Sequence, residues 1–453
     1  MDKNRELTKE EILKKADTAI GKNFEYYNYS GQHNKGGFGQ IIEEELFEYK
    51  ANSDSGPDFS NANIELKVTP YKENKNGTFS SKERLVLNII NYMKEHNKDF
   101  YTSSFWNKNQ HLLILFYKYV SGLKKKDFVI THKLLYDYPE EDFEIIKQDW
   151  HIIINKIRAG LAHEISEADT LYLAACTKGV NSRSMRKQPF SSILAKQRAY
   201  SFKQSYMTQL VRQLLSSKQE LEPILTSEEL RTNTFEEAIN SKLTPYFGKS
   251  EAELCSIFNL ETKAKSKYAL LISRMLKINN NLSHSKEFIM ANITPKTIRV
   301  EENGKIKEHM SFPAFNYKKI VSTSWIKSNL RNLFETTKFM FIVFQKKDGE
   351  YYFEKIKFWN MPLSVLDNQV KETWLRTKEI ISSGDIVKSV SAKGIRRTNF
   401  PGSRYNHVCH VRPHAINSSD TYKLPVADKK TNANEYTKHC FWLDKDYILE
   451  IIG

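Results

Sequence analysis

Pro57-Asp58 stands a few residues ahead of Glu65-Leu66-Lys67, and these three charged side chains are of the types that hydrolyse phosphodiesters with the help of a metal ion. Such chemistry uses carboxylates to hold Mg²⁺ against the scissile phosphate and commonly a lysine to orient or activate the attacking water. On a strand, alternate side chains share a face, so Glu65 and Lys67 would project together while Ile64, Leu66 and Val68 fill the other side. Spacing alone decides nothing, because acid-x-Lys recurs at Glu48/Lys50, Glu73/Lys75, Glu261/Lys263 and Asp428/Lys430. Only Glu65/Lys67 lies in an apolar, β-type run with a Pro-Asp turn before it. The competing reading is a solvent-facing ion pair on an edge strand.

A second group of reactive types is His407, Cys409, His410 and His414 with His439 and Cys440. Soft ligands at short spacing can hold Zn²⁺, but this spacing matches no common site, so zinc is not expected here. The four cysteines form no Cys-x-x-Cys pair, which argues against a disulfide framework and for a reducing compartment. The N-terminus is charged from its second residue, and runs such as HLLILF are too short to span a bilayer. A cytoplasmic protein without a membrane partner is expected.

The elements that must position the acids read as a mixture of strands and helices, an α/β sheet flanked by helices. Thr8-Lys9-Glu10-Glu11 is a capping box opening a helix, and FGQIIEEELFEYK reads as a second. NIELKVT, RLVLNII and HLLILFYKY are β-type runs. DFEIIKQDWHIIINKIRAG has apolar residues at helical spacing and a closing glycine; a strand-like LYLAA, a basic loop and a helix near 202–216 follow.

Length and charge then gain meaning. At 453 residues the chain is more than one core usually organises. Its formal charge of +15 favours a polyanionic partner. Residues 1–150 hold 22 basic and 24 acidic residues, so the whole excess lies after them. Two windows hold no acid: one between Asp169 and Glu220, with Lys178, Arg183, Arg186, Lys187, Lys196, Arg198 and Lys203, and one from Ile386 to Ser419, with Arg396, Arg397, Arg404 and Arg412. Both are interleaved with Tyr, Phe, Ser and Asn, the mixture that meets phosphates and base edges.

The second half repeats the plan of the first at low identity. NANIELKV returns as MANITPKT, with Ala62 against Ala291, a shift of 229; HLLILFYK returns as FMFIVFQK, and CTKGVNSRSM as RPHAINSSDT. This predicts one fold used twice, in domains spanning 1–220 and 233–453. The alignment sets Asp58 against Glu287, Glu65 against Thr294, Lys67 against Lys296, Lys108 against Thr336 and Glu43 against Ser273. A second copy that loses acids but keeps a basic loop suggests binding without cutting.

At this point the residues become familiar. KGGFGQIIEEELF, PDFSNANIELKVTP and TSSFWNK resemble the MutH family of PD-(D/E)xK endonucleases, and SSKERLVLNIINY, EIIKQDW, TKGVN, MSFPAF, KFWNMP and HVRPHA look like its two-domain restriction enzymes of Sau-three-AI type. The resemblance implies a restriction-endonuclease-like fold and Mg²⁺-dependent, type II double-strand cleavage of DNA at GATC, 5′ of the G. It implies that Asp58 and Glu65 bind Mg²⁺, that Lys67 serves the water, and that Glu43 and Lys108 complete the site. It also implies that the loop after LYLAA reads the major groove, giving Lys178 and Gly179, with Arg183 and Arg186 in the same basic stretch and Tyr200, Ser201 and Lys203 on the segment after it. In the second copy the family's Arg-Pro is Arg412-Pro413; His414, Asn417 and Lys438 join it as effector contacts to a second GATC, with monomers pairing on DNA in some members. A strand-selective nickase of mismatch repair and a non-catalytic DNA-binding protein are the alternatives.

Overall fold

A computed structural model of the protein describes residues 6–29, 37–49, 55–178, 184–216, 221–261, 267–279 and 281–453. Two compact units form: Met1–Ala238 with His284–Asn292, and Ile239–Ser283 with Ile293–Gly453. The first therefore takes in a short helix, Lys286–Ala291, that lies inside the second expected domain, 233–453. Among the described residues no helix is long and apolar enough to cross a membrane.

The strands of the first unit are β1 (Ile64–Glu73), β2 (Phe79–Ser81), β3 (Leu85–Ile89), β4 (His111–Lys118), β5 (Ile130–Tyr136), β6 (Leu173–Thr177), β7 (Met185–Gln188), β8 (Ser191–Lys196) and β9 (Arg198–Phe202). Four make a mixed sheet in the order β2-β1-β4-β5, in which only β1 and β4 run parallel. β4 reads as a continuous apolar run because both its faces are covered, with Leu112 to Phe116 nearly inaccessible. One face packs against Ile12, Ala16, Ile41, Ile42, Phe47 and Phe59. A smaller antiparallel sheet, β3-β9-β6, and the hairpin β7-β8 complete the unit.

The second unit contributes β10 (Ile293–Val300), β11 (Met310–Ala314), β12 (Lys338–Lys347), β13 (Glu350–Trp359), β14 (Val387–Val390), β15 (Arg396–Thr398), β16 (Cys409–Pro413), β17 (Thr421–Lys423), β18 (Glu435–Thr437) and β19 (His439–Leu443). Two of its sheets follow the order of the first unit's, although among the described residues β10-β12-β13 has no counterpart of β2. β10 runs parallel to β12 and β12 antiparallel to β13, as β1, β4 and β5 do; β11-β19-β16 is antiparallel throughout, as β3-β9-β6 is. The crossover helices Glu140–Arg158 and Lys371–Ser383 each run to a left-handed glycine, Gly160 and Gly384. Any side chain there would strike a backbone carbonyl: a Cβ would lie 2.7 Å from the Phe190 oxygen in one case and 2.6 Å from that of Ala427 in the other.

Helix Glu140–Arg158 shows how local chemistry fixes this frame. Acids fill its first turn and bases its last, and Ile145, Ile146, Trp150, Ile153, Ile154 and Ile157 form the buried stripe. Asp149 lies on that stripe, fully buried, and accepts the N–H groups of Leu171, Tyr172 and Leu173 at 2.7, 2.6 and 2.9 Å. It thereby supplies acceptors to the backbone leading into β6. Removing the carboxylate strands three buried donors, each costing about 1–3 kcal/mol. Asp149→Ala should therefore lower unfolding stability by about 3 kcal/mol or more in urea titrations; a loss below about 1 kcal/mol would show that the donors find other partners.

Candidate active site

β1 is entered through a closed loop. Phe59 and Ile64 exchange both backbone hydrogen bonds, at 2.9 and 3.2 Å, and Asn63 takes the left-handed conformation at φ 56°. Closure brings Asp58 beside Glu65, and each acid accepts an amide next to or at the other. The Asp58 N–H donates to Glu65 Oε2 at 3.1 Å, and the Leu66 N–H donates to Asp58 Oδ2 at 2.9 Å. The six residues between the two acids are therefore folded back rather than extended.

Glu65 is 2% exposed and is held by two lysines. Lys67, two residues along on the same face of β1, donates Nζ to Oε1 at 2.5 Å. Lys108 arrives from the short helix Ser104–Asn109, whose N-cap Ser103 accepts from the Trp106 N–H at 3.1 Å. That helix leads directly into β4, whose first residue, His111, lies opposite Ile64. The parallel register thus carries Lys108 Nζ to 3.1 Å from Glu65 Oε2, where it also donates to the Gly56 carbonyl at 2.7 Å. That carbonyl takes part although nothing in its residue type marks it.

Glu43 completes the group. The expected helix over FGQIIEEELFEYK begins as α-helix at Gly37–Ile41 and widens into a π-helix at Ile42–Leu46. Among the neighbouring glutamates, Glu44 accepts from Gln40 and Glu45 from Asn28, while Glu43 lies in the field of Asp58, Glu65, Lys67 and Lys108. Burial, then the charge of Asp58, pushes its carboxyl up to about 7. Burial, then Glu65, pushes Asp58 up to about 6, against the pull of Lys67, the Leu66 amide and Lys108. Crowded, partly desolvated carboxylates of this kind form an oxygen donor set that fits a hard divalent cation, which would relieve the repulsion that raises them.

The basic window of the first unit divides. Lys178 and Arg186 are exposed; Gly179 and Arg183 lie outside the described residues. Tyr200, Ser201 and Lys203 are a correction to the DNA-contact expectation. The first two are fully buried on β9, the central strand of its small sheet, where Tyr200 donates to Glu95 and Ser201 to the Ala174 carbonyl. Lys203 is 3% exposed and directs its ammonium at the Thr170 and Ala291 carbonyls. None of the three presents a polar atom to a groove of DNA.

In the second unit, Ile293 lies opposite Lys338 as Ile64 lies opposite His111, which puts Thr294 and Lys296 at the strand positions of Glu65 and Lys67. The same register sets Lys108 against Glu335, which pairs with Arg331, rather than against Thr336. Ser273 donates to the Ala269 carbonyl and accepts from the Leu282 amide. Arg412, His414 and Asn417 are exposed where β16 ends, and the His414 N–H donates to the Lys438 carbonyl at 2.8 Å. Arg412 lies over the Trp442 ring, and Lys438 pairs with Asp420 at 2.5 Å.

The pattern of residues 47–149, which carries β1, β4 and all of this site except Glu43, matches the family model "DNA mismatch repair enzyme MutH". The full chain is 36% identical to the type II restriction enzyme Sau3AI of Staphylococcus aureus, over 98% of each. It is 29% identical to the DNA mismatch repair protein MutH of Shewanella woodyi over 34% of this chain and 64% of that one. The matched segment implies a restriction-endonuclease-like domain of the MutH class in the first unit. The chain belongs to the Sau3AI/MutH family of restriction endonucleases, and it is a type II site-specific deoxyribonuclease.

The raised carboxyls carry a sign that can be measured. Glu43 and Asp58 hold their protons more tightly folded than unfolded, so their contribution favours folding below the ordinary carboxylate values of 4.5 and 3.8 and is lost as pH rises from there through about 6 to 7. Thermal unfolding in chelator should show wild-type stability falling across that window relative to Glu43→Gln, and a divalent cation should restore it. Parallel profiles for the two proteins would contradict this account.

Proposed function

We propose that the enzyme cleaves both strands of DNA at GATC, 5′ of the G, in a Mg²⁺-dependent reaction carried out by the first unit, while the second binds another GATC as an effector. The observation that carries the reading is the convergence of Glu43, Asp58, Glu65, Lys67 and Lys108 on one end of β1, against Thr294, Lys296 and Ser273 at corresponding places in the second unit. The matched strand orders support a duplication in which 1–220 is the catalytic domain and 233–453 its degenerate, DNA-binding copy. The full-length similarity to Sau3AI favours this over a nickase, since the MutH relative matches only a third of the chain.

In this reading Mg²⁺, held by Asp58 and Glu65 with Glu43 facing them, would polarise the scissile phosphate and help bear the charge that develops on it. Lys67 orients the attacking water, and Lys108 fixes the Glu65 carboxylate through its second oxygen while tying the site to the Gly56 carbonyl. Lys178 and Arg186, with Gly179 and Arg183, contact the cleaved site. Arg412, His414, Asn417 and Lys438 contact the effector site, and DNA bound at both units could pair monomers.

Sequencing the ends from one plasmid digest tests this directly. Four-base 5′ overhangs at GATC are expected; nicked circles without linear product would favour a nickase, and uncut DNA across divalent metals would refute cleavage. Glu65→Ala should abolish cutting, and Lys67→Ala should slow it by roughly 10²–10⁴-fold. A plasmid with two GATC sites should be cut faster per site than one with a single site, and Arg412→Ala should diminish that stimulation while leaving single-site cleavage intact. Equal rates on the two plasmids would contradict the effector role.

A further inference from the structure

The histidines and cysteines near the C-terminus sort differently from any sequence spacing. Cys409 and Cys440 are buried, His414 is exposed, and His439 directs Nδ1 towards the Thr437 carbonyl and the Tyr317 hydroxyl. His410 instead meets two residues far from it in sequence. One is His309, immediately before β11; the other is Asp444, which follows β19 and caps helix Lys445–Ile452 by accepting the Asp446 N–H on Oδ1. The second Asp444 oxygen stands 3.6 Å from Nδ1 of His309 and 3.6 Å from Nδ1 of His410.

Those separations are too long for hydrogen bonds. They are close to what a metal site requires, because ligand bonds of about 2.0–2.2 Å in a tetrahedron place donor atoms about 3.4 Å apart. All three donors lie within 4.8 Å of one another. His410 is 1% exposed, and neither of its ring nitrogens has a hydrogen-bond partner among the described residues. Buried polar groups are seldom left in this state, and an imidazole facing a carboxylate and a second imidazole is a ligand in waiting. His309 is the open side: it keeps 13% of its side chain exposed and lines a cavity of about 320 Å³ with Lys296, Glu308 and Ser311, and its Nδ1 lone pair now accepts the Lys445 N–H at 3.0 Å, a hydrogen bond that ligation through this atom would replace.

We infer that His309, His410 and Asp444 form a second metal site, within the second unit, that takes a borderline transition cation of the Zn²⁺ class with solvent as its remaining ligand. Two imidazoles and one carboxylate select such an ion over Mg²⁺, so the site is chemically distinct from the carboxylates around Glu65. It would tie the start of β11, the middle of β16 and the first turn of the last helix at one point. The corresponding places in the first unit, read from the matched strand orders, are Arg84, Ala174 and Lys203, which cannot form such a set.

The site can be tested on the full chain by stripping it with chelator, loading it with Zn²⁺ or Co²⁺, removing free ion and counting bound metal by mass spectrometry. One equivalent should be retained by Glu65→Ala, in which the catalytic carboxylate is gone, and it should persist in millimolar Mg²⁺. Co²⁺ should give visible bands of tetrahedral geometry, and Zn²⁺ should raise the unfolding temperature. His410→Ala and His309→Gln should each lose the equivalent, the bands and the stabilisation. His309→Gln, at the less buried position, decides the matter if His410→Ala fails to fold. Absence of a retained equivalent in the Glu65→Ala protein, or its undiminished retention in His309→Gln, would overturn the inference.

Discussion

The parallel pairing of β1 with β4 is the constraint on which the candidate active site depends. It places Ile64 opposite His111, so the helix that ends just before β4 delivers Lys108 to the acid one residue into β1. A one-residue slip would turn Glu65 and Lys67 into the core and Leu66 into the site. The sequence of β1 itself resists that slip, since turning the strand over would drive Glu65 and Lys67 into the apolar cluster that Ile64 and Leu66 now fill. Antiparallel β5 then closes the far side.

Electrostatics complete what the register begins. Three carboxylates and two lysines share a small, partly desolvated space, and no arrangement of the five leaves each acid with a cation of its own. Glu65 receives both ammonium groups, while burial first, and then the neighbouring acids, raise the carboxyls of Asp58 and Glu43. The imbalance is what makes the group a receptor for external positive charge rather than a structural ion-pair network.

Much of this was legible in the sequence because it follows local rules. The Thr8 capping box, the apolar β-runs and the long helix ending at Gly160 all form where their patterns place them. The π-helix was not legible, since the widening that orients Glu43 leaves no mark in residue type. The acid-free window misled for a definite reason: Arg198 and Lys203 are basic yet buried, their charges met by the carbonyls of Ala175 and Thr170. A charge count does not distinguish a cation facing solvent from one satisfied by backbone. The trio of His309, His410 and Asp444 was invisible for the complementary reason, that its members come together only through the order β11-β19-β16.

The loop between Asp58 and Glu65 is sealed at its base by the Phe59 and Ile64 hydrogen bonds, and the two acids are latched to each other's backbone. The intervening residues hang outside that latch, so their number has little bearing on where the carboxylates stand. Lengthening or shortening this arch would thus leave the two carboxylates where they stand, whereas the tight Glu-x-Lys step, pinned to the pleat of β1, admits no such change.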